Sequence, residues 1–147
     1  MWYLCKSQIK SHIKSFHMNI ENNGIISRQS KFSVKESLDR FQDLLAAKGI
    51  TVFARIDQQA EARKVGLDMP PTEIIIFGNP KAGTPLMVAA PLAALDLPLK
   101  LLAWGHSDAT TWLTYNDPEY LKQRYVLPAD LVKKLDFGPL VDQIAVK

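Results

Sequence analysis

A single cysteine, Cys5, in 147 residues excludes an intrachain disulfide and a thiolate-rich zinc site. Histidine is almost as scarce. His12 and His17 fall within the first seventeen residues and His106 is the only one beyond them, so a histidine-built metal centre lacks ligands and no dense carboxylate cluster replaces them. Concentrated positive charge is also missing. The formal charge of +3 is carried by Lys6, Lys10 and Lys14, which precede the first acidic residue, Glu21; without them the 18 basic residues fall to 15 against 15 acidic ones. No basic run is longer than Lys133-Lys134. Counterion release needs cations gathered on one surface, so nucleic acid is not an expected partner. The longest apolar-rich stretch, Pro85 to Trp104, contains Asp96, Lys100 and three prolines, which disqualifies it as a membrane span. A reducing, cytoplasmic setting fits these absences.

What is present describes an ordinary globular domain. Apolar residues make up 47% and charged residues 22% of the chain, and a chain of this length buries about two thirds of its unfolded surface in one core. Residues 1–17 stand apart. Ile9, Ile13 and Phe16 have helical spacing and the three lysines repeat every four residues, so either a basic amphipathic helix for a membrane surface or a poorly ordered extension before a start at Met18 is expected. Residues 18–147 are expected to form a single domain.

The stretch 22–31, "NNGIISRQSK", reads as a first strand opened by a turn. Ser33-Val-Lys-Glu36 has the form of a capping box, in which the serine oxygen and the glutamate carboxylate satisfy free amides reciprocally. Val34, Leu38, Phe41, Leu44 and Leu45 then form one apolar helical face, stopped at Gly49. "ITVFARID" from Ile50 to Asp57 predicts a strand returning alongside the first, and a short helix through Ala60, Ala62 and Val65 should stop at Gly66. Thr72 to Phe77 is apolar on both faces after its first two residues, as for a strand buried between layers. "GHSDA", Gly105 to Ala109, joins two strands as a hairpin. Asn116-Asp117-Pro118 starts a helix, and a last helical segment is interrupted at Gly138-Pro139. The apolar segment Pro85 to Lys100 must be buried, in its own core or against another subunit. The sum is an α+β, two-layer sandwich: a mainly antiparallel sheet of about five strands with helices on one face.

"IIIFGNPKAGTPL", Ile74 to Leu86, has two glycines at a spacing like that of a phosphate loop. Such a loop needs lysine directly after its second glycine, and here Gly83 is followed by Thr84 and Pro85. Thr84-Pro85 reads better as an N-cap with a first-turn proline. Backbone amides at that helix start leave a small anionic ligand open. His106 is the one proton shuttle of the body, in a turn that leaves it exposed, and Asp57 ends a strand as a cap or a functional group. Trp104, Trp112 and Tyr115 line a pocket, a partner surface or the core. No motif indicates a cofactor, and its identity stays open.

"FGNPKAGTPLM" (Phe77 to Met87), "ALDLPLKLLAW" (Ala94 to Trp104) and "TYNDPEYL" (Thr114 to Leu121) closely resemble the domain of unknown function 302 family, over about residues 22 to 137. Ile56-Asp57, "AEARKVGL" and Pro71-Thr72 fit the same pattern. The resemblance implies a compact, mostly prokaryotic α+β domain that tends to form homodimers and has no established reaction. Members commonly carry Asp-His where this chain has Asp57-Gln58, and glutamine cannot exchange a proton near neutral pH. The expected function is therefore a homodimeric ligand-binding or interaction module, with Asp57, Asn79, Gly83, Thr84, His106 and Tyr115 as candidate ligand contacts. The alternative is an enzyme using Asp57, His106 or Tyr115 for proton transfer on a small polar substrate.

Overall fold

Strand β1 occupies Ile25–Gln29, the middle of the stretch expected for it. The computed structural model describes residues 23–147, so the expectations for residues 1–17 lie outside the described residues. Helix α1, Val34–Ala47, follows. Ser33 caps it, its hydroxyl accepting the Glu36 amide at 3.2 Å. The reciprocal half of the expected capping box is replaced: the Glu36 carboxylate pairs with Arg40 one turn on, at 3.0 Å. At the other end the Ile50 amide reaches the Leu45 carbonyl and the Gly49 amide that of Ala46, the paired closure that requires a left-handed residue. Gly49 supplies it at φ 66°. Gly66 ends helix α2, Gln58–Lys64, in the same way at φ 75°.

The remaining elements are β2 (Thr51–Asp57), β3 (Thr72–Gly78), α3 (Pro80–Ala89), β4 (Leu99–Gly105), β5 (Thr111–Asn116), α4 (Pro118–Tyr125), α5 (Ala129–Val132) and α6 (Gly138–Asp142), with 3₁₀ turns at Pro91–Leu95 and Lys133–Leu135. All four strand pairings are antiparallel and the sheet order is β1-β5-β4-β3-β2. The expectation that β2 returns beside β1 is thereby corrected, since the two form opposite edges. Helix length explains it. Fourteen residues of α1 measure about 21 Å, and four strand spacings measure about 19 Å, so α1 carries the chain across the whole sheet.

Helix α1 presents Val34, Leu38, Phe41 and Leu45 to the inner face of the sheet, where Ile75, Phe77, Leu101, Ala103, Leu113 and Tyr115 are buried with Phe137, Leu140 and Val141 of the C-terminal segment. Phe41, Phe77, Phe137 and Tyr115 meet through ring contacts of 4.7–6.1 Å. A satellite core of Leu86, Ala93, Leu121, Leu127, Val132 and Leu135 lies beneath α3 and α4. Only part of the Pro85 to Lys100 segment meets the expectation of burial: Leu86 and Ala93 are inside, but Val88 and Leu92 are 77% and 79% exposed.

The outer face carries Ile56, Ile74, Ile76, Leu102, Trp104 and Trp112 in paired register. None of them is buried and none belongs to either core. Strand β3 is therefore covered on one side only among the described residues, and its alternating Glu73, Ile75 and Phe77 face inward. The α+β, two-layer architecture stands, with an apolar outer sheet face in place of a second helical layer.

Candidate functional site

At the end of the sheet where β3 finishes and β4 begins lies a cavity of about 440 Å³. Its walls come from separate parts of the chain: Phe53 of β2, Phe77 and Gly78 of β3, Gly83 and Met87 of α3, Leu97 to Leu99, and Leu135 to Leu140 around Phe137. Apolar side chains dominate because the floor is the edge of the main core. Phe53 reaches the site through a bulge. Strand pairing shifts register between Val52 and Ala54, which turns Phe53 out of the ladder, and its ring lies 3.6 Å from where a Cβ on Gly78 would sit.

Of the six sequence-derived residues, the structure brings Asn79, Gly83 and Thr84 to this cavity. Their local chemistry differs from expectation. Asn79, not Thr84, is the N-cap, its side-chain oxygen accepting the Lys81 amide at 2.9 Å, and Pro80 takes the first-turn position. Pro85 sits inside the helix. The amides of Ala82 and Gly83 both donate to the Asn79 carbonyl at 2.9 Å. The first-turn amides are thus engaged within the helix itself, so an anion at this cavity must be met by side chains. Those available at its lining are Lys48, Lys134, Thr84 and the Asn79 amide, with Asp136 as the one carboxylate. The Asp136 carboxylate already accepts the Gly138 amide at 3.0 Å.

Asp57, His106 and Tyr115 lie elsewhere. Asp57 caps α2, accepting the Ala60 amide at 2.9 Å at the opposite end of β2 from the cavity. His106 opens the β4–β5 turn, and its side chain is only 14% exposed, contrary to the exposed position expected. Its ring packs edge-on against Trp104 at 6.0 Å and its Nδ1 lies 3.1 Å from Asp108. The contact between these turn residues, left open by sequence spacing, is made. Hydrogen bonds from the Thr110 hydroxyl and amide, reinforced by His106, hold the Asp108 carboxyl down at about 2. Tyr115 is in the main core, 4.7 Å from Phe137 ring to ring, and burial pushes its hydroxyl above the ordinary value. Of the three aromatics considered for a pocket, Tyr115 is core and the two tryptophans are on the outer face.

One constellation escaped sequence reasoning. Arg55 donates from Nε to Glu73 at 2.9 Å and from a terminal nitrogen to Asp39 at 2.7 Å, tying β2, β3 and α1 together. Hydrogen bonds from Lys35 and then Arg55 hold the Asp39 carboxyl below its usual value. The available signal was Glu73, a carboxylate at the mouth of an apolar strand that needs a cation on its neighbour. Among the described residues, no three His, Cys, Asp or Glu side chains are grouped for a metal ion.

Comparison with known proteins bears on both fold and family. A crystal structure of the uncharacterized conserved protein DUF302 from Bacillus stearothermophilus superposes with a TM-score of 0.69, covering 84% of this chain and 96% of that one at 18% identity, a likeness of fold. The fluoride-specific ion channel FluC 1 of Brucella suis biovar 1 is 43% identical over 109 residues, which are 74% of this chain and 43% of that protein. The FluC 1 protein of Brucella abortus biovar 1 matches at the same identity over 40% of its length. The chain thus spans less than half of these curated relatives. No helix among the described residues is long and apolar enough to cross a membrane. The model of the domain of unknown function DUF302 matches residues 26–137, and the chain belongs to that family.

Proposed function

We propose that this domain is a ligand-binding module whose site is the cavity at the β3–α3 end of the sheet. The carrying observation is the cavity itself: about 440 Å³ walled by Phe53, Phe77, Met87, Leu99 and Phe137, with Asn79 and Thr84 at its lining. That size and composition match the sites that take small molecules with a largely apolar body. From the sequence-derived set we assign Asn79, Gly83 and Thr84 to the site and leave out Asp57, His106 and Tyr115, whose polar groups face other surroundings. A proton-transfer enzyme would need those three to converge on one concavity.

The channel activity named for the curated relatives is not carried over. This chain matches only 43% and 40% of the lengths of those proteins, so the name belongs to proteins of which it corresponds to a part. Thermal unfolding across a panel of small apolar and amphiphilic compounds tests the module. A true ligand at a hundredfold excess over its dissociation constant stabilises by about 2.7 kcal/mol, and Gly83→Leu should abolish the effect. Gly83 lines the cavity and an added Cβ there meets only the Met87 methyl at 3.9 Å, so a larger side chain can start from this position and compete for the cavity space. Stabilisation that survives this substitution would refute the site.

The outer sheet face supports a second reading, a homodimer. Ile56, Ile74, Ile76, Leu102, Trp104 and Trp112 make a continuous surface almost free of charge, the composition of an interface core. Five strands of this length cover on the order of 600 Å² as a flat sheet, near the roughly 800 Å² each partner contributes to a stable complex. Light scattering of the full chain should give twice the monomer mass, and Ile76→Glu should halve it. A monomeric parent chain at micromolar concentration would remove this reading.

A further inference from the structure

We infer that the ligand class of the cavity is an amphiphilic carboxylate, held tail-inward with its carboxylate at the mouth between Lys48 and Lys134. This rests on the cavity reading above and adds the chemistry of the head group. Depth and polarity are separated along the site. Phe77, Leu135 and Leu140 at its floor are buried, while Asn79, Thr84, Lys48 and Lys134 are exposed. A molecule with one apolar and one polar end therefore has a single favourable orientation.

The sign of the polar end follows from which groups are already engaged. Several surface cations are committed to carboxylates, Lys35 to Asp39, Arg40 to Glu36, Lys64 to Glu61, Lys122 to Glu119 and Arg124 to Asp96, while others, Lys31, Lys81 and Lys133 among them, form no ion pair among the described residues. Lys48 and Lys134 form no such pair among the described residues, and the single carboxylate of the lining, Asp136, is turned to the Gly138 amide. The Thr84 hydroxyl and the Asn79 side-chain NH₂ likewise have no protein partner there, the Asn79 oxygen being used by the helix cap. Four uncommitted side-chain groups of the lining can donate a hydrogen bond and two of them carry positive charge, against the one remaining oxygen of Asp136. A carboxylate is the complementary acceptor: it is anionic, offers two oxygens and suits a pair of ammonium groups. A cavity of about 440 Å³ holds on the order of fifteen water-sized groups, which suits a medium-chain or arylalkyl chain rather than a long lipid.

Decanoate, 1-decanol and decylammonium share one tail and differ only in the head. Below their aggregation concentrations, calorimetric titration into the full chain should show decanoate binding about tenfold more tightly than decanol, and decylammonium not at all. In the Lys48→Met/Lys134→Met variant decanoate should fall to the affinity of decanol, with decanol unchanged. Both substitutions are at exposed positions, so folding is retained. Gly83→Leu should abolish binding of decanoate and decanol alike. Equal binding of decanoate and decanol by the parent chain would overturn the carboxylate assignment and leave the cavity as a binding site. Failure of all three to bind would overturn both.

Discussion

The two ends of the five-stranded sheet are built on the same plan and differ in what their polar groups are doing. At the end that carries Asp57 and the β4–β5 turn, each polar side chain described above is engaged by a neighbour: Asp57 by the Ala60 amide, Asp108 by Thr110 and His106, and Glu73 by Arg55. At the end that carries Asn79, an apolar hollow opens, and the lysines, threonine and side-chain NH₂ around it have no protein partner among the described residues. Both ends begin a helix from a strand with an Asx cap. The difference teaches that strand-end polar groups close their hydrogen bonds locally at one end, whereas the proposed site combines apolar surface with polar side chains not engaged among the described residues.

The sharpest break in this contrast is Phe137→Ala. Phe137 joins the cavity floor to the main core through contacts with Phe41, Phe77 and Tyr115 and is 6% exposed. Its truncation should cost about 3–5 kcal/mol in chemical denaturation and enlarge the cavity, so that ligand affinity falls as well. A loss below about 1 kcal/mol would mean that the site and the core are not one packed unit. Next in size is Arg55→Met, which strands Glu73 at 12% side-chain exposure. About 3 kcal/mol should be lost, with binding at the cavity unaffected, and Glu73→Leu in the same chain should restore most of it. A change in ligand affinity in the single variant, measured under conditions where it is folded, would contradict the separation of the two ends.

The two caps provide a matched pair. Asp57→Ala and Asn79→Ala should each cost about 1 kcal/mol as lost N-caps, but only Asn79→Ala should also weaken binding. Equal binding by both variants would assign Asn79 to the helix alone. The smallest effect concerns acid. Asp108 titrates at about 2 in the folded chain, below the ordinary unfolded value near 3.9. Because the folded value is depressed, its stabilising contribution is complete above about pH 4 and is lost as the pH falls towards 2. A side-chain carboxyl NMR titration should place the Asp108 midpoint near 2, and Thr110→Val should raise it; an unshifted midpoint would count against the turn geometry.

Local features were legible because local forces produce them. The apolar face of α1, its Ser33 cap, the Gly49 and Gly66 stops, the β4–β5 hairpin and the Asp117-Pro118 helix start all follow from spacing and capping within a few residues. The cap at Thr84-Pro85 was misread for the same reason. Asn79-Pro80 offered the same chemistry five residues earlier, and the competition was settled by where β3 ends. The Arg55–Glu73–Asp39 link joins residues 16 and 18 apart, and no periodicity within one element reports it.

By itself the sequence determined the α+β class, the principal helix with its N-cap and glycine stop, and the family pattern around Phe77 to Met87, since each depends on residue type and short-range order. Only the tertiary structure decided that β1 and β2 lie at opposite edges, that Tyr115 is core while Trp104 and Trp112 face outward, and that Phe53, Asn79, Gly83, Lys134 and Phe137 share one cavity. The physical reason is that a cavity is bounded by surfaces from distant parts of the chain. Its walls exist only after α1 has crossed the sheet and the C-terminal segment has closed over the end of β3.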